Sequence, residues 1–331
     1  MCPWDAQSEP RPPARAAAGG RPGPAVSVII PTYNRANLLA DSLNSVAAQT
    51  FTDYEIIVVD DGSEDGTREY IAATTQDIRY LWQANQGVAE ARNHALRVSR
   101  SELVAFLDSD DLWKPTFLER TVGRLRERPH EALVFTDFLS TDVNGRTVRG
   151  HRKKPYGGDV TARLFNSTFI HTSAAVARTS ILRDAGGFDG RLTHNEDYDL
   201  WLRLSLRHQF GLIPEPLCLR RLHQDSLSHD GCSPEILLRK ADLLHRFYEQ
   251  GGGKSKIPED PARKRLARLY YTAGKAFLRA GRPRQARHVL CRSMQFRRMR
   301  IKTWLWYLAA ETHRALRPAP PEPIHAANAD R

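Results

Sequence analysis

The sequence predicts an α/β fold: a mainly parallel central sheet flanked by helices, followed by a small α-helical C-terminal region. Three observations carry this. Strand-like and helix-like segments alternate between residues 26 and 107 at spacings suited to βαβ units. Runs such as Val104-Ala105-Phe106-Leu107 are apolar throughout, as strands buried on both faces are. From Ser233 onward the pattern turns purely helical.

Taken in order, residues 1–24 are rich in Pro, Ala, Gly and Arg and lack a continuous apolar core, so they read as a disordered arm and not a secretory signal. Residues 26–30 (Val-Ser-Val-Ile-Ile) form a β-rich run ended by Pro31. Leu38, Leu39, Leu43 and Val46 recur at helical spacing, which places a helix over 37–49 capped by Asn34 or Asn37. A second strand over 55–59 ends in Asp60-Asp61-Gly62-Ser63. A helix over 66–74, a short strand over 78–82 and a helix over 88–98 carrying Arg92 and Asn93 follow. The strand over 103–107 delivers Asp108-Ser109-Asp110-Asp111.

Beyond it, a helix follows Pro115 and runs to about Glu127, a strand covers 132–137, and a basic stretch over 140–158 reads as an exposed hairpin or loop. A strand over 172–177 and a helix over 179–185 precede His194-Asn195-Glu196-Asp197-Tyr198-Asp199-Leu200-Trp201. There Leu200, Trp201 and Leu204 share a helical face. Pro214-Glu215-Pro216 breaks the chain before a last strand over 217–222 and then His223. Helices over 234–249, 262–280 and 284–295 fill the C-terminal region. The hairpin around Tyr270–Arg287 resembles a single tetratricopeptide-like repeat, which cannot form a solenoid and so packs on the main domain. The main domain thus spans 25–232 and the helical region 233–317, with a disordered tail over 318–331.

A hydrophobic content of 41% supports a real core, and no apolar run is long enough to span a membrane. Cys2, Cys218, Cys232 and Cys291 form no close pair, which favours free thiols in a reducing cytoplasm over zinc or disulfides. The net charge of +11 points to an anionic partner: nucleic acid, anionic lipid or a phosphorylated substrate.

The chemistry lies in the acids. Three carboxylates cannot sit unpaired in an apolar core, so Asp108, Asp110 and Asp111 belong where their strand emerges, the edge at which open α/β sheets bind ligands. A hard divalent cation or the N-cap of the next helix would each suit them. Two further strand ends, Pro31-Thr32-Tyr33 and Asp60-Asp61, point to the same edge. Neither GxGxxG nor GxxxxGK[ST] is present. Glu196 and Asp197 would favour the start of their helix on dipole grounds alone.

Val-Ser-Val-Ile-Ile-Pro-Thr-Tyr-Asn-Arg, Val-Val-Asp-Asp-Gly-Ser, Asn-Gln-Gly-Val-Ala-Glu-Ala-Arg-Asn, Phe-Leu-Asp-Ser-Asp-Asp and Asn-Glu-Asp-Tyr-Asp-Leu-Trp, in that order, resemble the motifs of family 2 glycosyltransferases. The resemblance covers roughly residues 25 to 230 and implies a GT-A-like fold and an inverting, nucleotide-sugar-dependent, metal-dependent transferase of Mn²⁺ or Mg²⁺. By the same resemblance Pro31, Thr32 and Tyr33 hold base and ribose, Asp61 accepts from the base beside Asp60, and Arg92 approaches the diphosphate. Asp108 faces the ribose next to Ser109, Asp110 ligates the metal and Asp111 supports it. Asp197 is the base with Glu196 beside it, and His223 stands near the diphosphate or metal. The implied partners are a nucleotide-sugar donor and a saccharide or lipid-linked acceptor, in polysaccharide or glycoconjugate synthesis.

The competing classes are a basic nucleic-acid binder and an inactive transferase-like scaffold. The first lacks a nucleic-acid motif and has acids crowding its site, so no nucleic acid is expected, and the intact acids speak against the second. Residues 294–308 mix Arg297, Arg298, Arg300 and Lys302 with Trp304, Trp306 and Tyr307 and contain no acid. Such a segment suits the inner face of an anionic membrane, or a helix whose aromatics pack on its own domain.

Overall fold

The computed structural model describes residues 23–142, 146–150, 156–222, 233–298 and 301–316. Its strands are β1 (Val26–Thr32), β2 (Tyr54–Asp60), β3 (Ile78–Trp82), β4 (Leu103–Phe106), β5 (Asp111–Trp113), β6 (Glu131–Thr141), β7 (Thr147–Gly150), β8 (Ala175–Arg178) and β9 (Gln209–Arg221). Its helices are α1 (Ala36–Ala47), α2 (Thr67–Ala73), α3 (Val88–Val98), α4 (Phe117–Glu127), α5 (Thr161–Asn166), α6 (Thr179–Asp184), α7 (Glu196–Ser205), α8 (Pro234–Glu249), α9 (Glu259–Arg279), α10 (Pro283–Phe296) and α11 (Ile301–Leu316). Among the described residues the strands form one sheet in the order β3-β2-β1-β4-β8-β6-β9-β5, with β7 beside β6.

The first half is parallel, as the βαβ spacing predicts: β1 pairs with β2 and β4, and β2 with β3. Beyond β4 the sheet is mixed. Strand β8 runs antiparallel to both β4 and β6, β6 and β9 are parallel, and β5 closes antiparallel on β9. Side chains alternate between two cores. Ile29, Ile57, Val59, Val104 and Phe106 face α3, α7 and α8, whereas Val28, Ile30, Ile56, Val58 and Ala105 face α1 and α4.

Pro31 does not end β1. The Ile29 carbonyl accepts from the Leu107 amide, so position 31 faces the same side. Strand β4 has already ended there, and the missing proline N–H costs no ladder bond. Strand β9 likewise runs through Pro214 and Pro216. Its register against β6 jumps from Thr136↔Ile213 to Asp137↔Pro216, leaving Pro214 and Glu215 bulged out. The short β5 and α5 were not expected. Residues 172–174 form a 3₁₀ turn before β8.

Neither Asn34 nor Asn37 caps α1. Arg35 holds the N-cap position without a side-chain bond, and Asp65 Oδ2, from the loop after β2, accepts from the Ala36 amide at 3.0 Å. Helix α8 packs Leu243, Leu244, Phe247 and Tyr248 into the same core as the sheet, so the helical region docks on the main domain. Helices α8 to α11 share a further small core around Tyr270, Phe277 and Ala286. The predicted segments 1–22, 223–232 and 317–331 lie outside the described residues.

Candidate active site

Three strand ends and one helix start build the site. At the end of β2, Asp61 spends its carboxylate on the chain entering α3: Oδ1 accepts from Gln83 Nε2 and the Gln86 amide at 2.8 and 2.9 Å, and Oδ2 from the Gly87 amide at 2.8 Å. Gly87, at φ +88°, adopts the left-handed backbone this turn needs. Asp60 is tied to the Ser63 amide and the Tyr80 hydroxyl, at 2.8 and 2.6 Å, and lines neither of the two cavities described below.

Helix α3 presents Arg92 inward. Its Nη2 donates to Asp108 Oδ1 at 2.6 Å and its Nη1 to Glu196 Oε1 at 2.7 Å, so one guanidinium joins the end of β4 to the start of α7. Asn93, one residue on, accepts from the Phe188 amide and donates to the Phe188 carbonyl, at 2.9 and 2.8 Å. That pair pins the turn leading to α7. A Cβ on Gly187 would lie 2.5 Å from Asn93 Oδ1, and its φ is +67°, so glycine is required there on both counts.

The acidic run caps no helix, since α4 begins six residues after Asp111 with Thr116 at its N-cap. Asp111 instead enters β5 and is buried and fully engaged. Its Oδ2 accepts from His171 Nε2 at 2.7 Å and Ser173 Oγ at 2.5 Å, and its Oδ1 from the Arg221 amide at 3.2 Å. Asp110 Oδ2 faces Arg35 Nη1 at 2.7 Å. Buried Arg221 clamps the run from behind, donating to the Asp110 carbonyl at 2.5 Å and to Asp41 at 2.6 Å. Asp197 Oδ2 accepts from Thr172 Oγ1 at 2.9 Å, and its Oδ1 accepts from the Tyr198 amide at 2.7 Å, so it also serves the helix start.

Burial disfavours charge on Arg92, but Asp108 and Glu196 outweigh it and hold its pKa up. Burial alone would raise the Asp108 carboxyl, yet Arg92, His171 and Arg35 keep it below the usual range. Burial, helped by the neighbouring charge of Asp197, pushes the Glu196 carboxyl up against the pull of Arg92. For His171, burial opposes protonation, while Asp111 raises its pKa above the ordinary imidazole value.

Two adjoining cavities result. The first, about 270 Å³, is lined by Arg92, Asp108, Asp110, Asp111, Glu196 and Asp197 among others. The second, about 570 Å³ and more apolar, is lined by Thr32, Tyr33, Asp61, Ser109, Gly87 and Leu192 among others. Pro31, Arg35, Val88 and Thr193 border both. Every predicted site residue but two therefore meets at one rim; Asp60 stands behind it, and His223 lies outside the described residues.

Carboxylate oxygens of Asp108, Asp110 and Asp111 lie within 4.8 Å of one another. Both Asp111 oxygens are already taken by His171, Ser173 and the Arg221 amide, so the hard-oxygen donors that fit Mg²⁺ or Mn²⁺ are those of Asp108 and Asp110. Asp111, His171 and Cys218 also cluster, but burial pushes the Cys218 thiol well up, and the other two are bonded to each other. That trio is packing, not a ligand set. Sequence reasoning assigned no role to Arg35, His171, Ser173 or Arg221. Arg35 stood inside a quoted motif; the other three offered no spacing signal, because only the folded sheet brings them to the acids.

A model of the family described as Glycosyl transferase family 2 matches residues 27–186. The chain is 34% identical over 188 residues to the putative glycosyltransferase EpsE of Bacillus subtilis, across 55% of this chain and 66% of that protein. It is 30% identical over 203 residues to an uncharacterised glycosyltransferase of Rickettsia bellii, 61% of this chain but only 29% of that relative's length. S. aureus TarS 1–349, solved with UDP, superposes with a TM-score of 0.56 at 21% identity, over 88% of this chain and 92% of that one. The mannosyltransferase PcManGT of Pyrobaculum calidifontis, solved with GDP-Man and Mn²⁺, gives 0.55 at 20% identity, over 89% and 86%. At these identities the likeness to the solved structures is one of fold, and that fold is GT-A-like.

Proposed function

The chain belongs to glycosyl transferase family 2 through residues 27–186, and from that premise we propose that it moves a sugar from a nucleotide-diphosphate donor to a hydroxyl of a saccharide or lipid-linked acceptor, inverting the anomeric centre. The setting is polysaccharide or glycoconjugate synthesis in the cytoplasm. One observation carries the reading: a cleft of carboxylates opens beside a larger apolar cavity, with Arg35 at their junction. A nucleoside fits the apolar chamber, against Pro31, Thr32 and Tyr33, and its diphosphate reaches the acids. The TarS complex with UDP and the PcManGT complex with GDP-Man support a donor of this class.

Asp110, with Asp108 beside it, would hold a divalent cation, and Mn²⁺ in PcManGT supports that choice. What such a cation supplies when bound is neutralisation of charge on the departing diphosphate. Asp61 shapes the nucleotide chamber by fixing residues 83–87. Arg92 holds Asp108 and Glu196 in register across the cleft. Glu196 is thereby committed to Arg92, which leaves Asp197, partly exposed at the cleft wall, to take the acceptor proton. A single base suits direct displacement, whereas a double displacement needs a second carboxylate as nucleophile.

The test is sugar transfer by wild type and Asp197→Asn. The variant should keep metal-dependent binding of the donor and lose turnover by roughly 10²- to 10⁴-fold, the usual contribution of a general base. An Asp197→Asn enzyme of wild-type turnover removes Asp197 from that role.

A further inference from the structure

Helix α11 is folded inside out. The residues it buries are Thr303 and Ala310, both fully inaccessible, and the Thr303 hydroxyl finds no partner. Its large apolar residues face the other way: Ile301 is 75% exposed, Trp304 46%, Leu305 62% and Leu308 55%. Positions 301, 304, 305 and 308 follow the i, i+3, i+4, i+7 spacing of one helical face, roughly 100° wide. Nothing in the fold needs that face outward. Trp306 and Tyr307, on the flanks, do pack on the molecule, Trp306 beneath the Lys275 ammonium at 5.2 Å and Tyr307 in a side-chain hydrogen bond with Arg287 of α10. The two halves of the aromatic segment therefore do different jobs. A contiguous exposed apolar stripe marks a surface that meets something.

We infer that this face lies on an anionic lipid surface, with α11 in the plane of the headgroups. The observation that chooses lipid over a protein partner is charge. In the sequence, Arg297, Arg298, Arg300 and Lys302 fall within six positions, and no acid occurs from Met294 to Leu308. Arg297, Arg298 and Lys302 are exposed. Four or more cations beside an amphipathic helix match an acidic headgroup layer, and an indole at the edge of an apolar stripe suits the headgroup boundary. Glu311, the one acid among the described residues of α11, pairs at 3.3 Å with Arg287 of α10 on the packed side and so leaves the lipid-facing side cationic. Among the described residues no helix is long and apolar enough to cross a membrane. The inference is independent of the transferase reading, because it rests on a different part of the molecule.

The test is co-sedimentation of the full chain with vesicles of phosphatidylcholine alone and of phosphatidylcholine mixed with phosphatidylglycerol. Wild type should bind the mixed vesicles, weakly or not at all the neutral ones, and lose binding as salt rises. Trp304→Ser/Leu305→Ser/Leu308→Ser, all at exposed positions, should keep the wild-type thermal transition and lose binding at least tenfold. Arg298→Gln and Lys302→Gln should each weaken it about fivefold, the worth of one cation near an acidic surface. Equal binding by wild type and the triple variant overturns the inference. So does a wild-type chain that ignores the vesicles but self-associates in solution through these three residues, since the stripe would then be an interface between copies.

Discussion

Arg92 is the residue on which the site turns. It is 3% exposed and bridges two carboxylates from separate elements. Removing one partner from a buried ion network leaves the others charged and unpaired, at a cost of about 3–5 kcal/mol. Arg92→Ala should therefore lower the unfolding free energy extrapolated from urea titration by that amount, and Arg92→Lys should recover only part of it, because an ammonium cannot reach both acids with two fixed donors. A loss under about 1 kcal/mol would mean that Asp108 and Glu196 do not depend on it. Arg35 makes a different prediction. Its guanidinium pairs with Asp110 Oδ2 and so competes for the carboxylate that would hold a cation. For a partly exposed pair worth up to about 1 kcal/mol, Arg35→Ala should tighten binding of Mn²⁺ alone by up to about fivefold, read as free Mn²⁺ by electron paramagnetic resonance. Weaker binding would show that Arg35 helps to hold the cation.

Among elements, the start of α1 depends on a residue thirty positions away. Burial would raise the Asp65 carboxyl, but the Ala36 and Thr67 amides and the Thr67 hydroxyl outweigh it and hold the pKa down. The stabilisation is thus present above the ordinary aspartate value and is lost as pH falls through the lowered folded value. Asp65→Ala should cost about 1 kcal/mol at neutral pH, as lost caps do, and the difference from wild type should shrink as acid protonates Asp65 in the parent. In the helical region, a Cβ on Gly274 would fall 2.6 Å from Leu290 Cγ. Gly274→Ala should push α9 from α10 and destabilise the fold by about 1–3 kcal/mol, seen in thermal melts, despite the better helix propensity of alanine.

The elements also show what was legible. Helices α3 and α8 and strand β3 fall at their predicted bounds, because local periodicity decides them, joined in α8 by the Ser233 cap and Pro234. Strand β5, three residues long, exists only through its pairing with β9, and β9 survives two prolines by bulging against β6. Their partners lie about 80 to 110 residues away in sequence, which no local window contains. The site divides in the same way. That Asp61, Asp108, Asp110 and Asp197 would lie along one edge was readable, because strand ends and a helix start mark their places. His171 and Arg221 were not, because their roles arise only when the turn before β8 and the end of β9 are brought against Asp111 at the start of β5.

At the scale of the molecule, the two faces of the sheet are covered by different parts of the chain. The face behind α3 and α7 is completed by Leu243, Leu244, Phe247 and Tyr248 of α8. A chain ended at residue 232 would expose those contacts, and it should lose the cooperative thermal transition of the full chain. A sharp, unchanged transition would make the helical region an independent unit. The cleft is assembled from β1, β2, β4 and α7, so its ligand should stabilise the whole fold by mass action, by about 2.7 kcal/mol at a hundredfold excess over Kd. The most direct measurement is thermal unfolding against a panel of UDP- and GDP-sugars, each with and without Mn²⁺, for wild type and Asp110→Asn. One donor should raise the wild-type midpoint only when Mn²⁺ is present, and the variant should lose that rise. If no nucleotide sugar shifts the midpoint, or the shift ignores both Mn²⁺ and Asp110, the carboxylate cleft is not a metal-dependent donor site.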